Sequence, residues 1–248
     1  MVKLLEGEKM PEFENQQSGM LTTNLDLIYC IDATGSMKPH IDETKNAAKT
    51  LYFDIQEALK NSARIVKQLR LKVIVFRDLS YDKEDAIKES RFFNLPDETA
   101  AYEEFINGIK AKGGGELPES SLEALHLAIN SEWETSDIQD GATRRRHVII
   151  LFTDAPAHKL DDPEYREKAE KNTLYPKDCP SDLAGLIDEY NNMDERARRL
   201  VIFAPNDEPW PDLKENLNDC MMRYAQAAKG LDDLTNQILV NTIAKTVE

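Results

Sequence analysis

Residues 25–36 read Leu-Asp-Leu-Ile-Tyr-Cys-Ile-Asp-Ala-Thr-Gly-Ser, an apolar run that passes directly into one carboxylate and two hydroxyls. The apolar run predicts a buried strand over 25–31. Asp32, Thr34 and Ser36 then follow at spacings of two, which concentrates three oxygen-bearing side chains where the strand ends. Carboxylates, hydroxyls and water are the ligands that a small hard cation such as Mg²⁺ prefers. The stretch therefore predicts a cation site at the end of a buried strand.

The composition of the chain sets limits on its fold and its partners. A length of 248 residues fits one large domain with a full hydrophobic core. Acidic residues outnumber basic ones by 46 to 31, which gives a net charge of −15. This charge opposes the counterion release that drives binding to nucleic acid, and it disfavours anionic membrane surfaces. We therefore expect neither nucleic acid nor a membrane as a partner.

The cysteines and the apolar content predict a compartment. Cys30, Cys179 and Cys220 are odd in number and widely spaced, so they indicate neither a disulfide framework nor a zinc pattern. Cys30 lies in the apolar run and is expected to be a buried thiol. The sequence contains no run of about 18 apolar residues that would span a membrane, and its N-terminus lacks the apolar centre of a signal peptide. We expect a cytoplasmic protein.

Strands alternate with helices along the chain, which predicts an α/β fold: a doubly wound, mainly parallel six-stranded sheet flanked by helices on both faces. The predicted strands lie at 25–31, 71–76, 90–93, 147–152, 200–204 and 221–225. The predicted helices lie at 38–60, 102–109, 118–129, 183–190, 212–219 and 234–247. Polar residues 1–23 are expected to form a flexible leader, residues 24–248 a single domain, and residues 155–181 a long polar loop.

Two further segments carry oxygen ligands. Asp154 follows the strand at 147–152, and residues 113–119 read Gly-Gly-Gly-Glu-Leu-Pro-Glu, a glycine-rich turn with two carboxylates. In open α/β sheets, ligands bind beyond the carboxyl ends of the strands. If the first strand neighbours the strand at 147–152, all three segments converge on one site. Mg²⁺ usually retains several waters, so a site of this kind leaves room for an outside ligand.

The first segment resembles a motif of a known family. Asp32, Thr34 and Ser36 match, position by position, the Asp-x-Ser/Thr-x-Ser pattern of a metal-ion-dependent adhesion site. Asp154, in Leu-Phe-Thr-Asp-Ala-Pro, matches the aspartate that follows the fourth strand in the same family. Over about 24–247 the chain therefore resembles the von Willebrand factor type A family. The resemblance implies a Mg²⁺ or Mn²⁺ site formed by these residues.

The second segment departs from the threonine that many members carry there. Glu116-Leu117-Pro118-Glu119 resembles the Asp-x-Pro-Glu loop of integrin β subunits. The resemblance implies that Glu119 faces the metal and that Glu116 is a secondary candidate. Arg77-Asp78, directly after the second strand, resembles the intracellular branch of the family, including domains linked to atypical (α-type) kinases.

Several of these residues also have simpler structural interpretations. Asp32 alone fits a turn cap, and Glu119 fits the first turn of a helix, where the dipole stabilises a carboxylate. Asp78 is either a support of the site or an ordinary loop aspartate. His158 is interpreted as a loop residue because neutral imidazole is a poor ligand for a hard cation. Residues 144–146, Arg-Arg-Arg, are expected to form a solvated turn before a strand, with a docking patch as the alternative.

These residues predict metal-dependent binding of another protein, which offers a carboxylate to an open coordination position of Mg²⁺ or Mn²⁺. The loop at 155–181 is the candidate for partner specificity because it leaves the sheet edge beside Asp154. No nucleophile–base pair is evident, so we do not expect an enzyme. One alternative is a regulatory subunit of a kinase, phosphatase or ATPase system that acts without metal. Another is an aspartyl-phosphate phosphatase with Asp32 as nucleophile, although the lysine and the metal loop that such enzymes need are not found.

Overall fold

The computed structural model describes residues 21–114, 117–136, 143–225, 227, 231 and 234–247. Residues 1–20 of the predicted flexible leader lie outside the described residues. Glu116, the secondary metal candidate, also lies outside them. Residues 21–23 are described, and they are not part of a leader. They belong to the first strand, where Leu21 lies opposite Arg64 of the second. The predicted boundary at residue 23 is therefore wrong.

Among the described residues, a sheet of seven strands forms the centre of the domain, in the order β3–β2–β1–β5–β6–β7, with β4 also paired to β2. The strands are β1 (Leu21–Asp32), β2 (Arg64–Phe76), β3 (Ile87–Glu89), β4 (Phe93–Leu95), β5 (Thr143–Phe152), β6 (Arg198–Pro205) and β7 (Cys220–Ala225). Strands β1, β2, β5, β6 and β7 run parallel to their neighbours, whereas β3 and β4 are antiparallel to β2. The predicted mainly parallel α/β sheet is confirmed.

The prediction of six strands is wrong by one, and Ser90 explains the difference. A single short strand was expected at 90–93, but the structure has two three-residue strands here, one that ends at Glu89 and one that begins at Phe93. The Ser90 hydroxyl accepts a hydrogen bond from the Val73 N–H at 2.9 Å, so a side chain takes the place of a main-chain acceptor at this point in the ladder. The edge of the sheet is therefore divided between β3 and β4.

The helices are α1 (Lys38–Ala47), α2 (Leu51–Leu59), α3 (Thr99–Asn107), α4 (Ser121–Ile129), α5 (Pro163–Ala169), α6 (Leu183–Asn192), α7 (Trp210–Asn216) and α8 (Asn236–Val247). The helix expected at 38–60 is two helices, because the chain turns at 48–50 and starts again after Thr50, whose hydroxyl donates to Asp54 Oδ2 at 2.8 Å. Pro118 is not in the first turn of α4. The segment around it is extended, since Glu119 forms a parallel bridge with Ala157.

The loop expected at 155–181 contains helix α5, which is a further correction. Asp162 caps this helix: its carboxylate accepts from the N–H groups of Glu164 at 2.9 Å and Tyr165 at 3.3 Å. Pro163 occupies the first helical position, where its missing N–H would have no partner inside the helix. The sequence Asp-Pro-Glu is a helix start signal, but the polar composition of the segment obscured it.

Hydrophobic clusters cover both faces of the sheet. On β1, Leu27, Tyr29 and Ile31 belong to the cluster that α1, α2, α3 and α8 complete, and Ile28 and Cys30 belong to the cluster of α4, α5, α6 and α7. All five side chains are buried. Because neither face of β1 meets solvent, its sequence reads as a continuous apolar run and not as an alternating one.

Residues 144–146 do not form a solvated turn, because they are part of β5. Arg146 is buried, and its guanidinium donates to the carbonyls of Thr246 and Arg196, each at 3.0 Å. Thr246 lies in the last turn of α8, where carbonyl groups have no partner within the helix. The arginine therefore ties the start of β5 to the end of α8.

The cysteines are buried and free, at Cys30, Cys179 and Cys220. The prediction of a buried Cys30 thiol is thus confirmed. Within the described ranges, no helix has the length and apolar character needed to cross a membrane.

Candidate functional site

The candidate site lies where β1 and β5 end side by side. The two strands are parallel neighbours, and Ile31 lies opposite Phe152 near their carboxyl ends. Asp32 and Asp154 therefore come from the same edge of the sheet, although they are far apart in sequence. The condition on which the convergence of the segments depended, that the first strand neighbours the strand at 147–152, is met.

Asp32 is held rigidly at the base of the site. Asp32 is fully buried. Its Oδ1 accepts a hydrogen bond from the Thr34 N–H at 2.9 Å, and its Oδ2 accepts one from the Thr153 hydroxyl at 2.8 Å. Burial raises the pKa of Asp32 to about 6, and the negative charge of Asp154 adds to the increase. Asp32 is therefore a buried carboxyl group whose orientation is fixed by two hydrogen bonds and which lies near a second carboxylate.

Ser36 joins the first loop to the third. Its hydroxyl donates to Asp154 Oδ1 at 3.0 Å, and it lies 3.5 Å from the Thr34 hydroxyl. Asp154 is buried, whereas Ser36 is exposed, so the cluster opens to solvent at the serine. The structure thus brings together four predicted ligands from two loops: Asp32, Thr34, Ser36 and Asp154.

The glycine-rich turn brings Glu119 to the same place. Gly114 has φ +71°, and a Cβ atom at this position would lie 2.7 Å from Thr34 Cγ2 and 3.0 Å from Glu119 Oε1. The absence of a side chain therefore allows the turn to close between the first loop and Glu119. The main chain of Glu119 is fixed from the other side, since its N–H donates to Pro156 O at 3.0 Å.

Glu119 has the most perturbed carboxyl of the cluster. The residue is 2% exposed, and in the described structure its Oε2 atom is buried with no hydrogen-bond partner. Burial raises the pKa of Glu119 to about 9, and the increase is reinforced by the charges of Asp32, Asp78, Asp82 and Asp154. A buried carboxylate oxygen without a donor, surrounded by other carboxylates, is a location where a cation would be stabilised.

The carboxylate and hydroxyl oxygens of this cluster fit a small divalent cation, but the carboxylates alone do not form a complete site. Within the described ranges, no group of three or more His, Cys, Asp or Glu side chains is arranged to hold a metal ion by itself. Any ion at this edge would need the hydroxyls of Thr34 and Ser36, and water, in addition to carboxylates. Mg²⁺ accepts such a mixed set and usually retains several waters.

Asp78 lies beside the candidate site, and its side chain contacts its own loop and His158. It is buried, its Oδ1 accepts from the Ser80 N–H at 2.7 Å, and it lies 3.5 Å from His158 Nε2. Burial alone would raise the pKa of Asp78, but the nearby His158 and the hydrogen bonds from Ser80 together lower it below the ordinary value. His158 is a loop residue, as expected, and it stacks on the Tyr165 ring with centroids 3.7 Å apart.

A buried hydrogen-bond relay connects α5 to the site. The Tyr165 hydroxyl donates a hydrogen bond to Glu123 Oε1 at 2.8 Å. Because its proton is used in that bond, the Ser120 hydroxyl is the donor in the 2.7 Å hydrogen bond between Ser120 and Tyr165. Ser120 Oγ in turn accepts from the Leu79 N–H at 2.8 Å. Because Ser120 directly follows Glu119, the relay links helix α5 to the segment that carries the candidate metal-facing carboxylate.

Sequence reasoning missed Thr153, Asp82 and this relay. Thr153 was visible as the hydroxyl residue next to Asp154, but its contact with Asp32 depends on the pairing of two distant strands. Asp82 Oδ2 accepts from the N–H groups of Asp78 at 3.2 Å and Gly114 at 3.3 Å. No spacing in the sequence indicates that contact.

The fold and this edge define a class: an α/β domain with hydroxyl and carboxylate oxygens gathered at the carboxyl ends of its central strands. The family profile described as von Willebrand factor A domain matches residues 26–172. The chain belongs to the von Willebrand factor A domain family. The resemblance noted from the sequence is confirmed at the level of the family, whose domains mediate protein–protein interactions.

Two curated relatives are much longer than the part they share with this chain. The alpha-protein kinase vwkA of Dictyostelium discoideum is 29% identical over 158 residues, which cover 63% of this chain and 21% of the kinase. An ariadne-like RING finger protein of Acanthamoeba polyphaga mimivirus is 23% identical over 181 residues, which cover 72% of this chain and 15% of that protein. Each match thus spans a small part of the relative.

A solved structure shows the same fold at low sequence identity. The pilus adhesin SpaC of Lactobacillus rhamnosus GG superimposes with a TM-score of 0.53 and 12% identity. The match covers 92% of this chain and 31% of the adhesin. At this identity the likeness concerns the fold alone.

Proposed function

We propose that the chain is a metal-dependent protein-binding module. The proposed ligands to Mg²⁺ or Mn²⁺, directly or through water, are Asp32, Thr34, Ser36, Glu119 and Asp154. A divalent cation bound there would supply positive charge and an open coordination position for a carboxylate of the partner protein. The proposal is for binding and not for catalysis, because the sequence shows no nucleophile–base pair.

The observation that carries the proposal is the state of Glu119. Its Oε2 is buried without a hydrogen-bond partner among the described residues, and the charges of four neighbouring aspartates raise the pKa of its carboxyl further. An arrangement of this kind is costly unless a proton or a cation neutralises it. The exposed Ser36 hydroxyl, in contact with Asp154, gives the cluster an opening to solvent through which a partner could approach.

A groove beside the site supports the proposed role of residues 155–181 in partner specificity. The groove has a volume of about 440 Å³, and its walls include Pro118, Pro156, His158 and Tyr165. Pro118 precedes Glu119, and Pro156 O accepts the Glu119 N–H, so the groove borders the candidate metal-facing segment directly. A partner that places a carboxylate at the cation would meet this groove with its neighbouring residues.

We further propose that the partner belongs to a kinase, phosphatase or ATPase system in the cytoplasm. The Dictyostelium relative carries the name alpha-protein kinase, and the shared region is a fifth of its length. The three buried free cysteines accord with a reducing compartment.

The proposal is tested by partner capture from a cell lysate in Mg²⁺ and in chelator, with Asp32→Ala beside the wild type. Loss of the same captured proteins in chelator and in the variant is the expected result. Asp188→Ala, at an exposed position on α6, serves as control. Equal capture in Mg²⁺ and in chelator, with Asp32→Ala and Asp154→Ala both unaffected, would leave a scaffold that works without metal.

A further inference from the structure

Arg77 follows β2 directly and is buried, with 5% of its surface exposed. Its Nε donates to Ala33 O at 3.1 Å and to Lys112 O at 2.8 Å, its Nη2 donates to Lys110 O at 2.8 Å, and its Nη1 donates to Asp85 O. Among the described residues, none of these bonds goes to a carboxylate. A buried cation is thus held here by main-chain carbonyls.

Three of the four carbonyls that Arg77 binds, those of Ala33, Lys110 and Lys112, belong to two loops of the candidate site, and the fourth, that of Asp85, lies outside them. Ala33 lies between Asp32 and Thr34, and Lys112 directly precedes the glycine turn. Ala33 O also accepts from the Lys112 N–H at 3.0 Å, so the two loops meet at one oxygen that the guanidinium shares. The Arg77 carbonyl also accepts from the N–H of Ser120, the residue after Glu119, at 3.3 Å.

The glycine turn is packed closely against this arginine. A Cβ atom on Gly113 would lie 3.3 Å from Arg77 Cδ and 2.1 Å from Asp82 Oδ1. Gly113 has φ +71°, a backbone conformation that residues other than glycine rarely adopt. The turn can therefore rest directly on the arginine side chain.

We propose that Arg77 is a positioning residue of this site: its guanidinium fixes the first loop and the glycine turn in the relative arrangement that brings Thr34, Ser36 and Glu119 together. The effect on cation affinity rests on the proposed function, whereas the effect on loop order does not. Lysine cannot replace the arginine, because an ammonium lacks the planar fork that reaches several carbonyls at once.

Arg146 provides a matched control. It is also buried, and its guanidinium also donates to main-chain carbonyls. It lies near the start of β5, at the end of the strands opposite to the candidate site. Arg146→Lys removes the same kind of interaction without contact with the candidate site. A general cost of losing a buried guanidinium would therefore appear in both variants.

The first measurement is hydrogen–deuterium exchange in chelator for wild type, Arg77→Lys, Arg77→Gln and Arg146→Lys. We expect exchange in peptides covering 33–37 and 110–114 to be about tenfold faster in both Arg77 variants, because the loops open locally. Exchange in β6 should be unchanged, and Arg146→Lys should leave both loop peptides as in the wild type. Unchanged loop exchange in the Arg77 variants, or the same acceleration in Arg146→Lys, overturns the proposal.

The second measurement is Mn²⁺ binding by electron paramagnetic resonance. Arg77→Lys is expected to bind Mn²⁺ about tenfold more weakly than the wild type and Arg146→Lys equally well, since residues that orient metal ligands commonly contribute this much. Wild-type affinity in Arg77→Lys overturns the proposal and leaves the proposed function intact. If the wild type binds no Mn²⁺, the proposed function fails and the exchange data still decide the role of Arg77.

Folding is checked by near-ultraviolet circular dichroism at low temperature. If neither Arg77 variant has a native spectrum while Arg146→Lys does, Arg77 is required by the fold as a whole. That result would also overturn a positioning role confined to the site.

Discussion

The Ser36 hydroxyl donates a hydrogen bond of 3.0 Å to Asp154 Oδ1, across 118 positions of sequence. One residue comes from the loop after β1 and the other from the loop after β5, and the bond exists because these two strands are parallel neighbours. The contact closes the first and third loops around the buried carboxylate of Asp32.

Asp154→Asn is expected to weaken binding of Mn²⁺ by about tenfold or more while the fold is retained. The amide oxygen can still accept from Ser36, so the change removes charge and leaves the contact in place. Isothermal titration calorimetry measures the affinity, and thermal unfolding in chelator checks the fold. Asp188→Asn, on the exposed side of α6, is the control. Unchanged affinity in Asp154→Asn would remove this carboxylate from the site.

Cation affinity is expected to rise with pH. Burial and neighbouring carboxylates raise the pKa of Glu119 to about 9 and that of Asp32 to about 6 when no cation is present. Protons therefore compete with Mg²⁺ over about pH 6 to 9, and binding in this range should release protons. Calorimetry in two buffers with different ionisation enthalpies measures the release.

Glu119→Gln tests which carboxyl is responsible. The amide has no proton to lose, so the upper part of the pH dependence should disappear and the affinity should fall. A wild type whose affinity is constant across this range would contradict the assignment of Glu119 as a ligand.

Gly114→Ala is expected to destabilise the protein and to weaken cation binding. Placing a residue with a Cβ in the left-handed conformation costs about 1–2 kcal/mol, and here the new atom would also meet Thr34 and Glu119. Urea unfolding in chelator gives the stability, and Mn²⁺ titration gives the affinity.

Gly35→Ala is the matched control, because Gly35 lies in the first loop but a Cβ there has nothing within 4 Å. It should leave the stability close to that of the wild type. Equal effects at the two glycines would mean that the close approach of Gly114 to Thr34 is not a constraint.

Glu123→Gln is expected to flatten the pH dependence of stability. Burial raises the pKa of Glu123 from 4.5 to about 7, although the hydrogen bond from Tyr165 partly opposes the shift. The folded state therefore binds more protons than the unfolded state in this window. The stability that results is fully present below the unfolded pKa and is lost as the pH rises through about 7.

The measurement is urea unfolding in chelator at several pH values between about 4 and 8. The difference between wild type and Glu123→Gln should change across this range, and Glu104→Gln, at an exposed position on α3, should show no such change. Parallel curves for wild type and Glu123→Gln would show that Glu123 does not titrate there.

The sequence was sufficient to predict the sheet and the edge that carries the site. The apolar run before Asp32 and the one before Asp154 are buried on both faces, so their patterns are strong, whereas their neighbour relation was only a condition that the structure meets. Strand β2 was harder, because its first half was not recognised. A register shift between Thr23 and Asn24 leaves Lys67 as an extra residue opposite β1, which breaks the alternation of buried and exposed positions.

The sequence could not predict the surroundings of Glu119. Its bridge to Ala157 and the cradle of Arg77 depend on main-chain contacts between segments that meet only in the folded state. Main-chain acceptors carry no side-chain signature, so a buried arginine that binds carbonyls looks in sequence like any charged loop residue. The hydrogen bonds of Tyr165 with Glu123 and Ser120 are hidden for a different reason, since they join side chains that are more than 40 positions apart in the sequence.

The pairing of β1 with β5 also fixes when the site can exist. A growing polypeptide on the ribosome carries Asp32 early, but it lacks both the neighbouring strand and Asp154 until far more of the chain has emerged. A divalent ion would therefore bind only after β5 has been synthesised and has paired with β1. Under the proposed function, a nascent chain stalled before that point would be unable to bind its partner.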